Sequence, residues 1–129
     1  MISPLQEYEL LKRARETYGD FNQILVTIEE LNELACVLAK FPRYEDKDKA
    51  IEALQSKVLD EYADVMIVLN HVSQIFKLSD VMVEERMDAK LERLKRWLET
   101  NNSFEQTTKD RTVEELPDSG YYRINTSEG

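Results

Sequence analysis

The sequence predicts an all-α fold, and two observations support that prediction. The chain of 129 residues holds only three Gly and three Pro, and residues 43–116 contain neither. A sheet protein needs turn residues about every 8–12 positions, so this composition argues against a sandwich or a barrel. Apolar residues also recur at the three- and four-residue spacing of a helix face. Long helices are therefore the predicted structure.

Capping signals predict where the first helix begins and ends. Ser3 suits the N-cap, Pro4 suits the first helical position, and Gln6 completes a capping box. Gly19 is expected to end this helix just after Tyr18.

The second helix is expected to use Asp20 as its N-cap and to end at Pro42. Its apolar positions follow a helical rhythm. They are Phe21, Ile24, Leu25, Ile28, Leu31, Leu34, Ala35 and Leu38. The charged residues 43–49 are interpreted as a connection to the next helix.

Two further helices complete the prediction. The third spans about residues 48–77, a length for which we expect a break near Gln55 and Ser56. Ser79 then caps a fourth helix that ends near Thr100.

A change in composition divides the chain into two parts. Residues 1–102 are interpreted as one helical domain. Residues 103–129 are rich in Ser, Thr, Asp and Glu and are interpreted as an acidic C-terminal tail outside the core.

Charge and cysteine content exclude several classes of protein. Seventeen Lys and Arg against 26 Asp and Glu give a net charge of −9, which argues against nucleic acid or an anionic membrane surface as the partner. The single cysteine, Cys36, excludes an internal disulfide. No apolar run approaches the roughly 18 residues of a membrane span, and no signal peptide is recognisable, so we expect a cytoplasmic protein.

Acidic residues interrupt the apolar rows of two predicted helices. The row on the second helix is Val26, Glu30, Glu33 and Val37. The row on the third helix is Leu54, Val58, Glu61, Val65, Val68 and Val72, with Asp64 on the same side. Each helix thus carries an acidic pair at i, i+3, framed by apolar residues.

If the two helices pack through these rows, four carboxylates converge at one interface. Two like charges about 4 Å apart repel by roughly 4 kcal/mol at an effective dielectric of 20. Such a cluster needs cations, and oxygen ligands favour Mg²⁺ or Mn²⁺. The alternative is a solvated acidic face, because similar spacings recur elsewhere, as at Glu84, Glu85 and Asp88.

These segments resemble a known enzyme family. Residues 29–33 (Glu-Glu-Leu-Asn-Glu) and 61–64 (Glu-Tyr-Ala-Asp) resemble the EExxE and ExxD halves of the MazG-like nucleoside triphosphate pyrophosphohydrolases, members of the all-α NTP pyrophosphatase superfamily. Residues 88–93 (Asp-Ala-Lys-Leu-Glu-Arg) are similar to the N-x-K-x-x-R stretch of that family. The resemblance covers roughly residues 20–98.

The resemblance implies a Mg²⁺-dependent hydrolysis of nucleoside triphosphates between the α and β phosphates, in a four-helix bundle completed as a homodimer or homotetramer. It assigns four residues to the metal: Glu30, Glu33, Glu61 and Asp64. It assigns Lys90 and Arg93 to the substrate phosphates, with Asp88 where the family often has Asn. Glu29 resembles a position that helps to orient the attacking water.

Three alternatives compete with this hypothesis. Phosphoribosyl-ATP pyrophosphatase and the dimeric dUTP hydrolases share the architecture and a similar carboxylate motif. A di-metal carboxylate oxidase needs Glu-x-x-His pairs, but the only histidine is His71 and the residue three positions before it is Val68, so the sequence argues against this alternative. A non-enzymatic helical interaction protein explains the amphipathic helices but not the acidic interruptions.

Three residues near these motifs are expected to have structural roles. His71 lies on the stripe of Asp64 and is expected to be a core or interface histidine with satisfied hydrogen bonds. Cys36 is expected to be an inert packing residue. Lys57 is interpreted as a surface charge, with a phosphate contact as the alternative.

Overall fold

A computed structural model describes residues 1–100 of the chain and is all-helical over that range, with no strand. It contains four α-helices: α1 (Pro4–Tyr18), α2 (Asp20–Leu38), α3 (Lys47–Ile75) and α4 (Asp80–Thr100). A short 3-10 helix, Phe41–Arg43, lies between α2 and α3. The predicted all-α fold with four helices is therefore confirmed, and the predicted tail over 103–129 lies outside the described residues.

The start of α1 follows from the predicted capping box. The Ser3 hydroxyl accepts a hydrogen bond from the Gln6 backbone N–H at 3.2 Å, and the Ser3 N–H donates to the Gln6 side chain at 2.8 Å. At its other end α1 stops at Gly19, whose φ of 91° is one that residues with a Cβ rarely adopt.

Asp20 is not the N-cap of α2, contrary to the prediction. Gly19 is the residue before the helix, and its carbonyl already accepts from the Gln23 N–H at 3.2 Å. The sharp turn at Gly19 therefore starts the helix one residue early and puts Asp20 in the first turn. There its carboxylate lies 3.9 Å from the Arg15 guanidinium.

The helix α3 runs unbroken for 29 residues, so the expected break near Gln55 and Ser56 is wrong. Neither Gly nor Pro interrupts it, and one face stays buried along its length. The buried residues are Ala50, Leu54, Glu61, Val65, Val68 and His71. The Asp46 carboxylate caps its start by accepting from the Lys49 N–H at 2.9 Å.

The end of α3 uses a left-handed residue that the sequence did not reveal. Lys77 has φ 56°, and the Leu78 N–H donates to the Ser73 carbonyl at 2.8 Å, as in a Schellman motif. Glycine is the usual residue at this position, so the sequence, with a lysine there, did not predict this helix end. At the start of α4, the Met82 N–H donates to the Ser79 hydroxyl at 3.2 Å, as the predicted cap requires.

Chain contacts divide the protein into two units, Met1–Leu78 and a second unit that begins at Ser79. In the first unit, α2 packs mainly against α3 as a helical hairpin, and α1 packs on α2. Side chains also join α1 to α3: Asn70 donates to the Glu7 carboxylate at 2.7 Å, and Arg15 lies 3.3 Å from the Nδ1 of His71. Of the second unit, the structure describes α4.

The residues that α2 buries are not its predicted apolar positions. Phe21, Leu25 and Ile28 are exposed, whereas Gln23 and Thr27 are buried. The Thr27 hydroxyl donates a hydrogen bond to the Gln23 carbonyl at 2.8 Å, so it can be buried without an unpaired donor. Because α2 stops at Leu38, Pro42 lies in the 3-10 helix and does not itself end α2.

Because α2 turns Phe21, Leu25 and Ile28 outward, it carries an exposed apolar surface. On α3, a stripe at helical spacing is also exposed, and Phe76, just after the helix, is exposed as well; the members on the helix are Leu59, Tyr62, Met66 and Leu69. Over residues 1–100, no helix has the length and apolar content needed to cross a membrane.

Candidate metal centre

The α2–α3 hairpin brings four carboxylates together. One carboxylate oxygen from each lies within 4.8 Å of the other three, and the residues are Glu30, Glu33, Glu61 and Asp64. Each helix supplies a pair at i, i+3, which lie on one side of the helix. We refer to these four residues as the carboxylate cluster.

The carboxylate cluster spans the boundary between the hairpin interior and solvent. Glu61 is the innermost member, with 8% of its surface exposed. Glu30 is half-buried, while Glu33 and Asp64 are exposed. The cluster therefore has a buried floor and an open side from which an ion or a substrate can enter.

Two oxygens on the buried side lack a hydrogen-bond partner among the described residues: Oε2 of Glu30 and Oε2 of Glu61. Leaving a buried acceptor unpaired costs about 1–3 kcal/mol, and more for a charged group. The nearby cation, Lys57, places its Nζ 3.9 Å from Oε1 of Glu61. Its side chain is 62% exposed, so this pair compensates the buried charge only weakly.

The environment favours the protonated form of the two inner carboxyls. Burial raises the pKa of Glu30, and the negative charges of Glu33, Asp64 and Glu61 raise it further. Burial also raises the pKa of Glu61, helped by a hydrogen bond and repulsion from Glu33, while Lys57 lowers it. The carboxylates of the cluster thus repel one another, and Lys57 offsets this repulsion only in part.

This donor set fits a hard divalent cation. All ligand atoms are carboxylate oxygens, which suit Mg²⁺, Ca²⁺ or Mn²⁺ and do not suit softer metals. A cation would also satisfy the two unpartnered inner oxygens of Glu30 and Glu61.

The other predicted site residues lie outside the carboxylate cluster. Glu29 is on α2 beside Glu30 but is exposed and is not one of the four converging residues. Asp88, Lys90 and Arg93 lie on α4, in the unit that begins at Ser79. Lys90 is half-buried there, and Asp88 and Arg93 are exposed. Their roles stay predictions.

A groove adjoins the carboxylate cluster, and sequence analysis missed it. Its volume is about 530 Å³, and it is lined by Asn32, Glu33, Cys36, Val37, Lys40, Lys57 and Glu61. We call it the α2–α3 groove. Cys36 is exposed at its wall, so the prediction that it packs in the core is wrong, while its inertness stays a prediction. The sequence signal that could have identified the two lysines is their helical spacing. Lys40 follows Glu33 by two turns and Lys57 precedes Glu61 by one turn, so each lies on the same side as a member of the carboxylate cluster.

His71 is buried, as expected of a core histidine, and lies against Arg15 on α1. Burial and the Arg15 charge lower the pKa of His71, although Asp20 acts in the opposite direction. Since the guanidinium donates, Nδ1 of His71 accepts, and the neutral ring carries its proton on Nε2. His71 therefore belongs to the α1–α3 packing.

Comparisons of the chain with family models, with curated proteins and with solved structures give no match. The function must therefore be inferred from the residues and their geometry. The carboxylate cluster and the adjoining groove supply that geometry.

The raised pKa values predict that acid stabilises the metal-free protein. Glu30 and Glu61 bind protons more tightly in the folded state than in the unfolded state, whose ordinary pKa is 4.5. Their contribution to the free energy of unfolding is therefore fully present below pH 4.5 and is lost as the pH rises through their folded-state pKa. With a chelator present, we expect Glu61→Gln to raise the melting temperature at pH 7 and to make the difference from the natural protein shrink toward pH 4.5.

The control for this measurement is Glu52→Gln, which removes the same charge from an exposed position on α3. His71 changes stability in the opposite direction, because its lowered pKa costs stability as pH falls below 6.5. This effect is common to all three proteins and cancels in the difference. If the melting temperature of Glu61→Gln changed with pH in the same way as that of Glu52→Gln, the prediction would be wrong.

Proposed function

We propose that this protein hydrolyses (deoxy)nucleoside triphosphates at the α–β phosphate bond, releasing a nucleoside monophosphate and pyrophosphate. The proposed cofactor is Mg²⁺, with Mn²⁺ as a substitute. The observation that carries the proposal is the convergence of four carboxylate oxygens within 4.8 Å on the α2–α3 hairpin. Two buried oxygens without a partner support it further.

The proposed ligands are the four members of the carboxylate cluster, Glu30, Glu33, Glu61 and Asp64. When bound, a divalent cation neutralises the triphosphate and polarises a phosphoryl oxygen. The unbroken helices hold the ligand oxygens in fixed register, so little reorganisation accompanies substrate binding. The open side, formed by Glu33 and Asp64, gives the phosphates access.

In the proposed reaction, a water oxygen forms a bond to the α phosphorus while the bond from that phosphorus to the bridging oxygen breaks. The bridging oxygen leaves with the pyrophosphate, and the proton of the attacking water passes to the surrounding solvent. Glu29, exposed beside Glu30, is the proposed residue that orients this water. Lys90 and Arg93 on α4 are the proposed phosphate contacts, because a cation stabilises charge that develops on the leaving group.

We also propose that the chain works as a homodimer or homotetramer. Phe21, with 89% of its surface exposed, and Leu25 and Ile28 form an uncovered apolar row on α2. The exposed stripe on α3 adds to this apolar area. Large exposed apolar patches mark interaction surfaces, and a second copy of the chain would cover them.

The metal proposal predicts that Mg²⁺ stabilises the protein. At a concentration about 100 times the dissociation constant, we expect a gain of about 2.7 kcal/mol in unfolding free energy. Glu61→Gln should remove most of that gain, and Glu52→Gln should keep it. Thermal melts with and without Mg²⁺ measure both. An unchanged melting temperature in the natural protein would count against a metal site, as expected of a helical adaptor.

The enzymatic proposal predicts pyrophosphate release from nucleoside triphosphates. A panel of the common NTPs and dNTPs with Mg²⁺, together with phosphoribosyl-ATP, should give a monophosphate and pyrophosphate from at least one. Loss of a residue that only hydrogen-bonds a metal ligand costs about 10–100-fold in metal affinity or activity. Removal of a ligand itself in Glu61→Gln should therefore cost at least about 100-fold in activity.

Strong preference for dUTP or for phosphoribosyl-ATP in this panel would favour a sibling enzyme of the same superfamily. Orthophosphate as the product, or no product from any substrate, would overturn the proposed reaction. Glu52→Gln again serves as the control and should retain full activity.

The oligomer proposal predicts a sedimentation mass at least twice that of one chain. Leu25→Glu places a charge in the exposed α2 row and should shift the protein toward the monomer. The exposed Glu52 offers a control, since Glu52→Ala should leave the mass unchanged. A monomer for the natural protein at micromolar concentration would show the proposal to be wrong.

A further inference from the structure

The α2–α3 groove is larger than a metal site requires. It shares Glu33 and Glu61 with the carboxylate cluster, so the two adjoin. Its volume of about 530 Å³ lies in the range of small-molecule sites. An ion bound by the carboxylates is far smaller than this volume, which leaves most of the groove for a larger ligand.

The groove lining carries both signs of charge. Apart from Glu33 and Glu61, the lining residues are two lysines, Lys40 and Lys57, and three uncharged side chains. The uncharged ones are Asn32, Cys36 and Val37. A ligand that pairs with two lysines has negative charge spread over several oxygens. It also contacts a cation that the carboxylates attract.

Both lysines are placed to reach such a ligand. The Nζ of Lys57 lies 3.9 Å from a Glu61 oxygen, so this lysine adjoins the carboxylate cluster. The backbone of Lys40 is fixed on both sides, because its N–H donates to the Val37 carbonyl at 3.1 Å and its carbonyl accepts from Arg43 at 3.1 Å. Its side chain is exposed and free to follow a phosphate.

We infer that the α2–α3 groove is a pyrophosphate subsite, in which Lys40 and Lys57 hold the β and γ phosphates beside the carboxylate cluster. This inference rests on the proposed function and extends it. The scissile bond then lies at the cluster, and the leaving group lies along the lysines. Lysine suits this task because its ammonium is a compact charge that pairs with phosphate.

Lys57 adds to the proposed contacts of Lys90 and Arg93 in neutralising the charge of the leaving group. As the α–β bond breaks, negative charge builds on the β phosphate, which lies between the cluster and Lys57. Lys57 is then a binding residue for the leaving group, distinct from the ligands of the metal. The nucleoside half of the substrate lies outside the groove.

Cys36 provides a way to test groove occupancy without measuring hydrolysis. It lines the groove, is exposed, and is the single cysteine of the chain, so its thiol reports on one place. The rate at which a thiol reagent modifies Cys36 should fall when a ligand fills the groove. The probe is inorganic pyrophosphate in the presence of Mg²⁺, compared with orthophosphate and with a nucleoside monophosphate.

We expect pyrophosphate to slow modification of Cys36 in a saturable manner, and more effectively than either comparison compound. Loss of a charged hydrogen bond costs about 1.5–3 kcal/mol, so Lys57→Gln and Lys40→Gln should each raise the half-protecting concentration by at least about tenfold. Lys57→Arg keeps the charge and should retain most of the protection. Lys47→Gln, an exposed lysine of α3 outside the groove lining, is the matched control.

The outcomes separate this inference from the proposed function. Protection that is equal in Lys57→Gln, Lys40→Gln and Lys47→Gln would overturn the inference, even if Mg²⁺ still raises the melting temperature. Protection by the nucleoside monophosphate but not by pyrophosphate would also overturn it, because the groove would then hold the nucleoside half. Lysine-dependent protection by pyrophosphate supports the inference, even if no triphosphate in the panel is hydrolysed.

Discussion

The burial of Glu61 between α2 and α3 is the constraint on which the rest of the structure depends. A carboxylate that is 8% exposed, with one oxygen unpartnered, costs free energy that packing must offset. The offset comes from its own helix, because Leu54, Val65 and Val68 are buried on the same face. The hairpin therefore tolerates the acidic cluster through the length of α3, and a shorter or broken helix would lose that support.

The same constraint explains why the site is built on helices. At i, i+3 spacing, each pair of carboxylates is oriented by backbone hydrogen bonds that run through the whole helix. Neither α2 nor α3 contains Gly or Pro, so the register from Glu30 to Glu33 and from Glu61 to Asp64 is fixed without loop residues. A site of this kind changes little when a ligand arrives, which suits catalysis by positioned charge.

The sequence predicted the parts of the fold that short-range contacts determine. The caps at Ser3 and Ser79 and the helical spacing of the apolar residues depend on neighbours within one or two turns. The error at Asp20 arose because the backbone turn at Gly19 outweighed a favourable cap residue. The absent break in α3 shows that length alone does not interrupt a helix without Gly or Pro.

Orientation was harder to predict, because α2 has two stripes at helical spacing. The apolar one, with Phe21 and Leu25, is exposed, and the one with Thr27 and Val37 is buried. Periodicity does not say which stripe meets a helix of the same chain and which meets another partner. The positions of Glu30 and Glu33 were recognisable because they interrupt an apolar row, whereas Cys36 and Lys40 line a groove that exists only once α2 and α3 pair.

The net charge of −9 needs to be interpreted locally. An acidic surface repels nucleic acid, because a polymer meets the charge of the whole face. In the function that we propose, a triphosphate would contact only the groove, where carboxylates attract cations and lysines attract phosphate. Moving Lys40 or Lys57 elsewhere on the surface would leave the net charge unchanged, yet it would remove a positive charge from the groove. For a small anionic substrate, the arrangement of a few charges within one groove therefore matters more than the charge of the whole protein.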